Sequence, residues 1–376
     1  MPQTQVIKVA APAEVAPAAA EAARVVRAGG LVGFATETVY GIAALAGNHR
    51  TMERLRDLKS RPSRPFSVHI GRRVDVRRYI GHIPPQAAVL IDKAWPGPVS
   101  ILMKLGGQLA DATLQAQGLY DILASDDTIG LRCPDEPVAI AMLSAVKDVV
   151  VAPSANLAGQ PSPRTGQDVL DSLDGKIDLL VDSGPTRYGK DSTIVSFATP
   201  KAGQAWQVIR EGVLDERAIR RLTRRRVLFV CTGNTCRSPM AAGIARKLLA
   251  DKYNCSIGEL KDCGVEVASA GLFAGEGVRA SPEAALAARE HGADISRHRS
   301  RMLTRDLIRW ADMVFCMTDF HVQQARRLAP QDADKIRRLD ERADVSDPIG
   351  GGGGIYRKVA QRIERVLRNL LDEGTL

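Results

Sequence analysis

Val227-Leu-Phe-Val-Cys231-Thr-Gly-Asn-Thr-Cys236-Arg237-Ser238-Pro239 is the stretch on which the fold of the C-terminal half turns. An apolar run of strand character ends at Val230, a tight loop follows, and a helix opens after Ser238-Pro239. Proline suits a first helical turn because its missing N–H is not needed there. A strand–loop–helix of this kind aims the N–H groups of Thr232, Gly233, Asn234, Thr235 and Cys236, together with the helix N-terminus, at one point, and that point is an anion site. Cys231 stands at the same point. The local field should lower its pKa from about 8.5 into the range ~3.5–7.5, giving a thiolate at neutral pH. Arg237 can return over the loop and hold two anion oxygens with its fork. Ser238 can hydrogen-bond the thiolate and ease its departure in a second step, and Asn234 can brace the loop through its amide.

A thiolate that attacks phosphorus needs a partner acid for the leaving group and later a base for water. Asp347, in Val-Ser-Asp-Pro-Ile-Gly, is the candidate: Pro348 stiffens its turn, and the glycines from Gly350 to Gly354 admit a bulky substrate. Taken alone, an Asp-Pro pair would read as a plain Asx turn. Around the loop the pattern is regular. Strands are expected at Val227–Val230, Val265–Ala268, Met313–Cys316 and Ile336–Leu339. Helices are expected near Pro239–Asp251, Pro282–His291, Thr304–Trp310, Phe320–Leu328 and Tyr356–Leu371. This alternation implies a doubly wound parallel sheet with ligand at the carboxyl end of the first strand.

The motif order strengthens this reading. CTGNTCRSP, then Ala268–Ala274 (ASAGLFA), the run AAREHGADISRHRSRMLTRDLIRWADMVFCMTDFH and finally SDPIGGG resemble a low-molecular-weight protein tyrosine phosphatase over residues 227–371. The resemblance implies a cysteine-dependent protein phosphatase with Cys231, Arg237, Ser238 and Asp347 in catalysis and no cofactor. Thr235 and Ile349 replace the isoleucine and the aromatic residue usual in the tyrosine-specific members. In this they resemble the bacterial protein-arginine-phosphatase branch, which puts phosphoarginine first and phosphotyrosine second. The resemblance leaves Cys236 either a redox partner for Cys231 or a filler thiol.

The first half carries a different signature. An Ala-rich helix at about 14–28 closes on Gly29-Gly30, a stop signal, and Leu31–Phe34 reads as a buried strand. Further strands are expected at Phe66–Ile70, Val99–Lys104, Thr128–Arg132, Val149–Ala152, Leu179–Val181 and Thr193–Phe197, with helical periodicity around Thr51–Lys59. This is an α/β domain on a mixed, twisted sheet. Hydroxyls, amides and cations follow the strand ends: Thr38, Lys59, Arg61, His69, Thr128, Arg132, Ser154, Asn156, Ser192 and Arg210. Each alone has an ordinary structural reading, but together they suit a triphosphate and a small polar ligand.

Their order resembles the YrdC-like threonylcarbamoyl-AMP synthases over residues 18–213. The resemblance implies that ATP, L-threonine and bicarbonate combine to give threonylcarbamoyl-AMP and pyrophosphate for tRNA modification. Lys59, Arg61, Thr128, Asn156 and Arg210 would bind ATP, with Mg²⁺ shielding the phosphates; Thr38, His69, Arg132, Ser154 and Ser192 would bind threonine. Ala35, Arg64 and Arg164 depart from the family pattern. A module that only binds RNA or a nucleotide is the alternative for this half.

Composition frames both readings. The chain has 376 residues with 45% hydrophobic and 25% charged side chains, enough for two cores. Residues 1–17 are expected to form an extension and the basic segment 214–226 a linker. The formal charge of +9 favours polyanions, with tRNA or a tRNA threonylcarbamoyl transferase as further partners. The six cysteines are scattered and form no metal-binding pattern, so no protein-held metal is expected. The N-terminus lacks signal-peptide character, and no apolar run reaches the ~20 residues of a membrane span. A reducing cytoplasm is the expected location.

Overall fold

The computed structural model describes residues 3–60, 65–106, 114, 118–200 and 204–376. The chain divides into two compact units, Met1–Leu222 and Thr223–Leu376.

The first unit is built on eleven strands: β1 (Gln5–Lys8), β2 (Val32–Phe34), β3 (Gly41–Leu45), β4 (Val68–His69), β5 (Val99–Lys104), β6 (Ala124–Ser125), β7 (Thr128–Arg132), β8 (Val150–Val151), β9 (Leu179–Asp182), β10 (Thr193–Ser196) and β11 (Gln207–Arg210). Ten of them run in the order β1-β9-β2-β3-β8-β4-β7-β5-β10-β11, with β6 paired to β7 off this path. Parallel and antiparallel pairs mix. β1, β2 and β9 are mutually parallel, as are β4 with β7 and β5 with β10; β3, β8 and β11 pair antiparallel.

Both faces of this sheet are covered, which explains strands without a polar face. Along β9, Leu179 and Val181 join one core while Leu180 joins the other, the alternation a two-residue period demands. On the first face, α1 (Pro12–Arg27) lays Ala18, Ala19, Ala22, Ala23 and Val26 against α5 (Pro137–Ala145) and strands β2 and β3. On the second face lie α2 (His49–Lys59), α3 (Pro85–Ala94), α4 (Tyr120–Leu123), α6 (Gly166–Leu173) and α7 (Glu216–Leu222), with Leu55, Leu90, Leu123, Leu173 and Ile219 in one core. Helix α1 stops where Gly29 takes φ +84°.

The second unit has four parallel strands, β12 (Arg225–Cys231), β13 (Val265–Gly271), β14 (Met313–Cys316) and β15 (Ile336–Arg338), ordered β13-β12-β14-β15. Five helices accompany them: α8 (Arg237–Tyr253), α9 (Pro282–Glu290), α10 (Arg305–Trp310), α11 (Asp319–Leu328) and α12 (Gly353–Asp372). Leu228, Val230, Val314 and Cys316 face α10 and α11. Phe229 and Phe315 alternate to the opposite side and stack with centroids 5.7 Å apart. Ser281, Thr304 and Thr318 cap α9, α10 and α11 through their hydroxyls, as residues just before a helix commonly do. Helix α12 packs on α8 and α9 through a stripe of Tyr356, Val359, Ala360, Ile363, Leu367 and Leu370. The chain leaves β12 for β13 on one side and returns for β14 on the other. Cys231 therefore ends the strand at the switch of topology, where open α/β sheets bind ligands.

Four segments differ from expectation. The segment 214–226 is no plain linker: α7 packs on α3, and Arg225-Arg226 open β12. The stretch 1–17 contains β1 and the start of α1; β1 is an edge strand with little buried surface, so it carries no apolar signal. Strand β3 begins directly after the Thr-Glu-Thr-Val-Tyr loop, and the exposed edge strand β11 likewise lacked a pattern.

Candidate active sites

In the second unit the loop after β12 wraps around the Cys231 sulfur. Cys231 Sγ lies 2.9 Å from Ser238 Oγ and receives the Asn234 N–H at 3.2 Å. Asn234 takes φ +54°, a left-handed conformation that turns its amide inward. Its Nδ2 donates to Ser238 Oγ and Ser269 Oγ, both at 2.9 Å, and its Oδ1 accepts from Arg301 N at 3.0 Å. His298 Nε2 reaches Asn234 O at 2.7 Å. Burial pushes the Cys231 thiol up, and this outweighs the downward pull of Ser238, of the Arg237 charge and of the Asn234 N–H. The depressed thiol expected from the loop sequence is therefore not found: the cysteine is 2% exposed, and lost hydration exceeds the gain from its donors.

Arg237, at the first turn of α8, folds back as anticipated. It donates to Val345 O at 3.1 Å and Thr232 Oγ1 at 3.2 Å, and it forms an ion pair with Asp347. Cys231, Arg237, Ser238 and Asp347 thus converge. Thr232 Oγ1 also meets His321 Nε2 at 2.9 Å, and His321 Nδ1 meets Thr318 Oγ1 at 2.6 Å. Because Arg237 donates to Thr232, the threonine hydroxyl is free to donate to a neutral His321. Burial, then the Arg237 charge, hold this histidine down to about 4. Thr235 and Cys236 line the far side of the loop. The Cys236 sulfur contacts Ser281 Oγ at 3.5 Å and Tyr356 OH at 3.6 Å, whereas Cys231 faces Ser238; both are free thiols here.

The loop needs a glycine beneath it. A Cβ on Gly271 would stand 2.5 Å from Thr232 O and 2.9 Å from Asn234 N. Sequence reading missed Ser269, Gly271, Arg301, His298 and His321 as site residues. The small residues of Ser269-Ala-Gly271 were the available signal.

In the first unit a cavity of about 180 Å³ is lined by Lys59, His69, Ser100, Arg132, Ser154, Asp191, Ser192 and Arg210, among others. Arg132 closes β7 and donates to Thr38 Oγ1 at 2.5 Å, to Thr36 Oγ1 at 3.3 Å and to Glu37 Oε1 at 2.9 Å. The Glu37 side chain is fully buried and also accepts from Asp135 N at 2.8 Å, so the cation of the cleft is held in a fixed pose. Lys59 Nζ is satisfied by carbonyl oxygens, Ser154 O at 3.0 Å, Asn156 O at 2.8 Å and Asn156 Oδ1 at 2.7 Å. Arg210 donates to Ser192 O at 2.8 Å, and Ser192 Oγ meets Ser100 Oγ at 3.0 Å. Gly212 permits this turn, since a Cβ there would lie 2.2 Å from Asp191 O.

His69 is held near pKa 3, first by burial and then by the Arg132 charge, against the Ser67 carbonyl. In this neutral ring Nδ1–H donates to Ser67 O at 3.2 Å, leaving Nε2 an acceptor. Nine of the ten residues proposed for this half thus have described positions, and Arg61 lies outside the described residues. Thr38 and Asn156 do not line the cavity but bond Arg132 and Lys59, which do; Thr128 does neither, since it opens β7 and its hydroxyl donates to Asp126 O at 3.3 Å. It shares the face of Arg132 but sits four positions back, about 13 Å at the rise of a strand. Glu37, Ser100 and Asp191 were not foreseen, Glu37 because a buried counter-ion leaves no sequence pattern.

Two family models match the chain. The Sua5–YciO–YrdC family, described as telomere recombination, covers residues 24–212, and the low molecular weight phosphotyrosine protein phosphatases cover residues 226–375. The chain belongs to both families, one in each unit. Among particular relatives, the threonylcarbamoyl-AMP synthase of Bacillus subtilis (strain 168) is 36% identical over 183 residues, 48% of this chain and 51% of that protein. The chain therefore spans about half the length of that synthase. The protein-arginine-phosphatase of Geobacillus stearothermophilus is 39% identical over 153 residues, 39% of this chain and 95% of that protein. A solved double mutant of Pyrococcus abyssi Sua5 aligns over 97% of both chains at TM-score 0.50 and 22% identity, a likeness of fold alone.

Two predictions come from these geometries. Gly271→Ala should push the Thr232–Asn234 backbone outward and weaken binding of the phosphate mimic tungstate to the cysteine loop at least tenfold, read by calorimetry. His69 should make stability pH-dependent. Unfolded histidine takes a proton below about 6.5, whereas the folded ring stays neutral to about 3, so unfolding binds a proton in that window. Stability should fall as pH drops from 6.5, and His69→Gln should flatten that slope in denaturant titrations.

Proposed function

We propose that the chain joins an L-threonylcarbamoyladenylate synthase to a cysteine-dependent protein phosphatase whose first substrate class is phosphoarginine, with phosphotyrosine second. The observation that carries the phosphatase reading is Arg237 beside Cys231 and paired with a carboxylate that substrate can displace: the Asp347 side chain is 41% exposed. The synthase reading rests on one cleft that gathers Lys59, Arg132 and Arg210 with a neutral histidine and four serines.

In the phosphatase unit, a phosphoryl dianion takes the Arg237 fork and the loop N–H groups, and Asp347 is released toward the leaving group. The Cys231 thiol passes its proton to the released Asp347 carboxylate as the sulfur attacks phosphorus, the phosphorus–nitrogen bond breaks (phosphorus–oxygen for tyrosine), and Asp347 gives that proton to the departing atom. Asp347 then takes a proton from water, which attacks the phosphocysteine. Inorganic phosphate leaves, and Ser238 O–H hydrogen-bonds the returning thiolate. Thr235 places a hydroxyl at the loop where a guanidino group can meet it. The relatives named protein-arginine-phosphatase, at 39% and 38% identity, support that preference.

In the synthase unit, Arg132 binds the threonine carboxylate beside Thr38, and His69 Nε2 accepts from the threonine ammonium. Ser154 and Ser192 fix the rest of the amino acid. Lys59, Asn156 and Arg210 hold the triphosphate, with Arg61 proposed beside them. Bringing bicarbonate, threonine and ATP together in one cleft supplies most of the rate through positioning. Among the described residues no group of three metal-ligating side chains is present. Mg²⁺ would accompany ATP as part of that substrate and shield its phosphate charge. Threonylcarbamoyl-AMP passes to a tRNA-modifying transferase, in keeping with the basic chain. No helix among the described residues is long and apolar enough to cross a membrane, and a cytoplasmic setting fits both substrates.

Two assays test these readings. The full chain should turn over phosphoarginine faster than phosphotyrosine, Cys231→Ser should abolish both, and Thr235→Ile should shift the ratio toward phosphotyrosine by tenfold or more. Unchanged turnover in Cys231→Ser would overturn the phosphatase assignment, and an unchanged ratio in Thr235→Ile would remove Thr235 as selector. With ATP and bicarbonate, pyrophosphate release should require threonine and fall at least a hundredfold in Arg132→Ala; release indifferent to threonine would favour a module that only binds nucleotide or RNA.

A further inference from the structure

Strand β13 is the outer strand of the second unit's sheet; on its far side Gly271 bridges Met302, with Leu303 N–H donating to Gly271 O at 2.7 Å, while the Val267 and Ser269 carbonyls face no strand. Two arginines cover them. Arg246, from α8, donates through one terminal N–H to Val267 O at 2.7 Å, and Arg301 donates through Nε to Ser269 O at 2.9 Å. Residues 267 and 269 are two steps apart on the same edge, which sets the anchoring points about 7 Å from each other. Each guanidinium has five donors and uses one side-chain N–H here.

The remaining donors have no acceptor among the described residues, and neither arginine makes an ion pair there. Burial and the neighbouring Arg301 charge both press Arg246 downward, and burial lowers Arg301 as well. Of the nearby carboxylates, Glu266 pairs with Arg226 at 3.2 Å; Glu276 accepts from Met302 N at 3.4 Å, and its charge offsets part of the burial effect on Arg301 without an ion pair. Beside Arg301 lies a groove of about 350 Å³ walled by Arg301, Glu266, Leu307 and Trp310. Capping a strand edge needs hydrogen bonds but not two adjacent positive charges, because neutral amides would serve.

We propose that Arg246 and Arg301 form a second oxyanion site on the outer edge of β13, apart from the Cys231 loop, that takes a phosphate-class dianion between their forks. Such an occupant offsets the repulsion between two half-buried cations and uses donors that are otherwise idle. It also touches the catalytic loop through one residue. Arg301 holds Asn234 Oδ1 with its backbone N–H and the Ser269 carbonyl with its side chain. The dianion comes either free, as inorganic phosphate, or carried on a phosphoprotein.

The test uses the full chain carrying Arg237→Ala, which removes the catalytic grip on phosphate, with the arginine Nε–H groups followed by NMR. Inorganic phosphate should move the Arg246 and Arg301 resonances together along one saturating curve. Adding Arg246→Gln should weaken the Arg301 response about tenfold. A response to a phosphoserine peptide and not to inorganic phosphate would retain the site and assign its ligand to a phosphoprotein. The site is overturned if neither probe moves the two resonances, if they move only when Arg237 is intact, or if Arg301 responds equally without Arg246. None of these readouts depends on turnover, so failure of the phosphatase reading would be recognised separately.

Discussion

The second unit depends on a single buried asparagine. Asn234 has no solvent exposure and a left-handed backbone, a conformation that costs a residue with a Cβ about 1 kcal/mol or more. It is offset because both amide hydrogens, the amide oxygen, the backbone N–H and the backbone carbonyl all have partners: Ser238, Ser269, Arg301, Cys231 and His298. A polar network that is fully satisfied in a low dielectric is rigid, and one missing partner makes it costly. That network fixes the loop before any anion arrives. It also explains why the residues under the loop are small or absent, since Gly271 leaves the space in which Thr232 and Asn234 rest.

The two units handle their key arginine in opposite ways. Arg132 is paired with Glu37, whose side chain is wholly buried, whereas Arg237 is paired with Asp347, whose side chain is 41% exposed. Removing one partner from a buried pair costs about 3–5 kcal/mol because the other charge is stranded. A partly exposed pair is far weaker, since solvent competes for both ions. Glu37 is therefore a permanent counter-ion that orients Arg132 toward a ligand needing a fixed cation. Asp347 is a temporary one. It holds Arg237 in place, and in the proposed reaction a phosphoryl group displaces it.

What could be read in advance follows from how locally each feature is encoded. The parallel sheet of the second unit was legible because its central strands carry continuous apolar runs, Val227–Cys231 and Met313–Cys316, and the latter falls where expected. The cysteine loop was legible because its ligands lie within one short segment. Edge strands β1 and β11 were not, since a strand that buries little has no apolar signature. Glu37, Ser269 and Arg301 were missed for a different reason: each acts on a residue distant in sequence, and such pairings are created only when the strands align. Thr128 shows the reverse error. A strand residue on the correct face can still be too far along the strand to reach the same cavity.

The Cys231 thiol marks the limit of reasoning from a motif. Loop dipoles and an arginine argue for a low pKa, yet burial leaves the thiol raised in a structure where Arg237 already has Asp347 as partner. The two facts are connected. A guanidinium compensated by a carboxylate projects less field on the sulfur than a bare one, while the cost of removing the sulfur from water is paid in full. When a phosphoryl group displaces Asp347, the sulfur keeps its Ser238 and Asn234 donors and faces an electrophilic phosphorus whose oxygens are held by the arginine and the loop. In the proposed reaction the substrate, by taking the place of Asp347 on Arg237, frees the carboxylate that accepts the thiol proton.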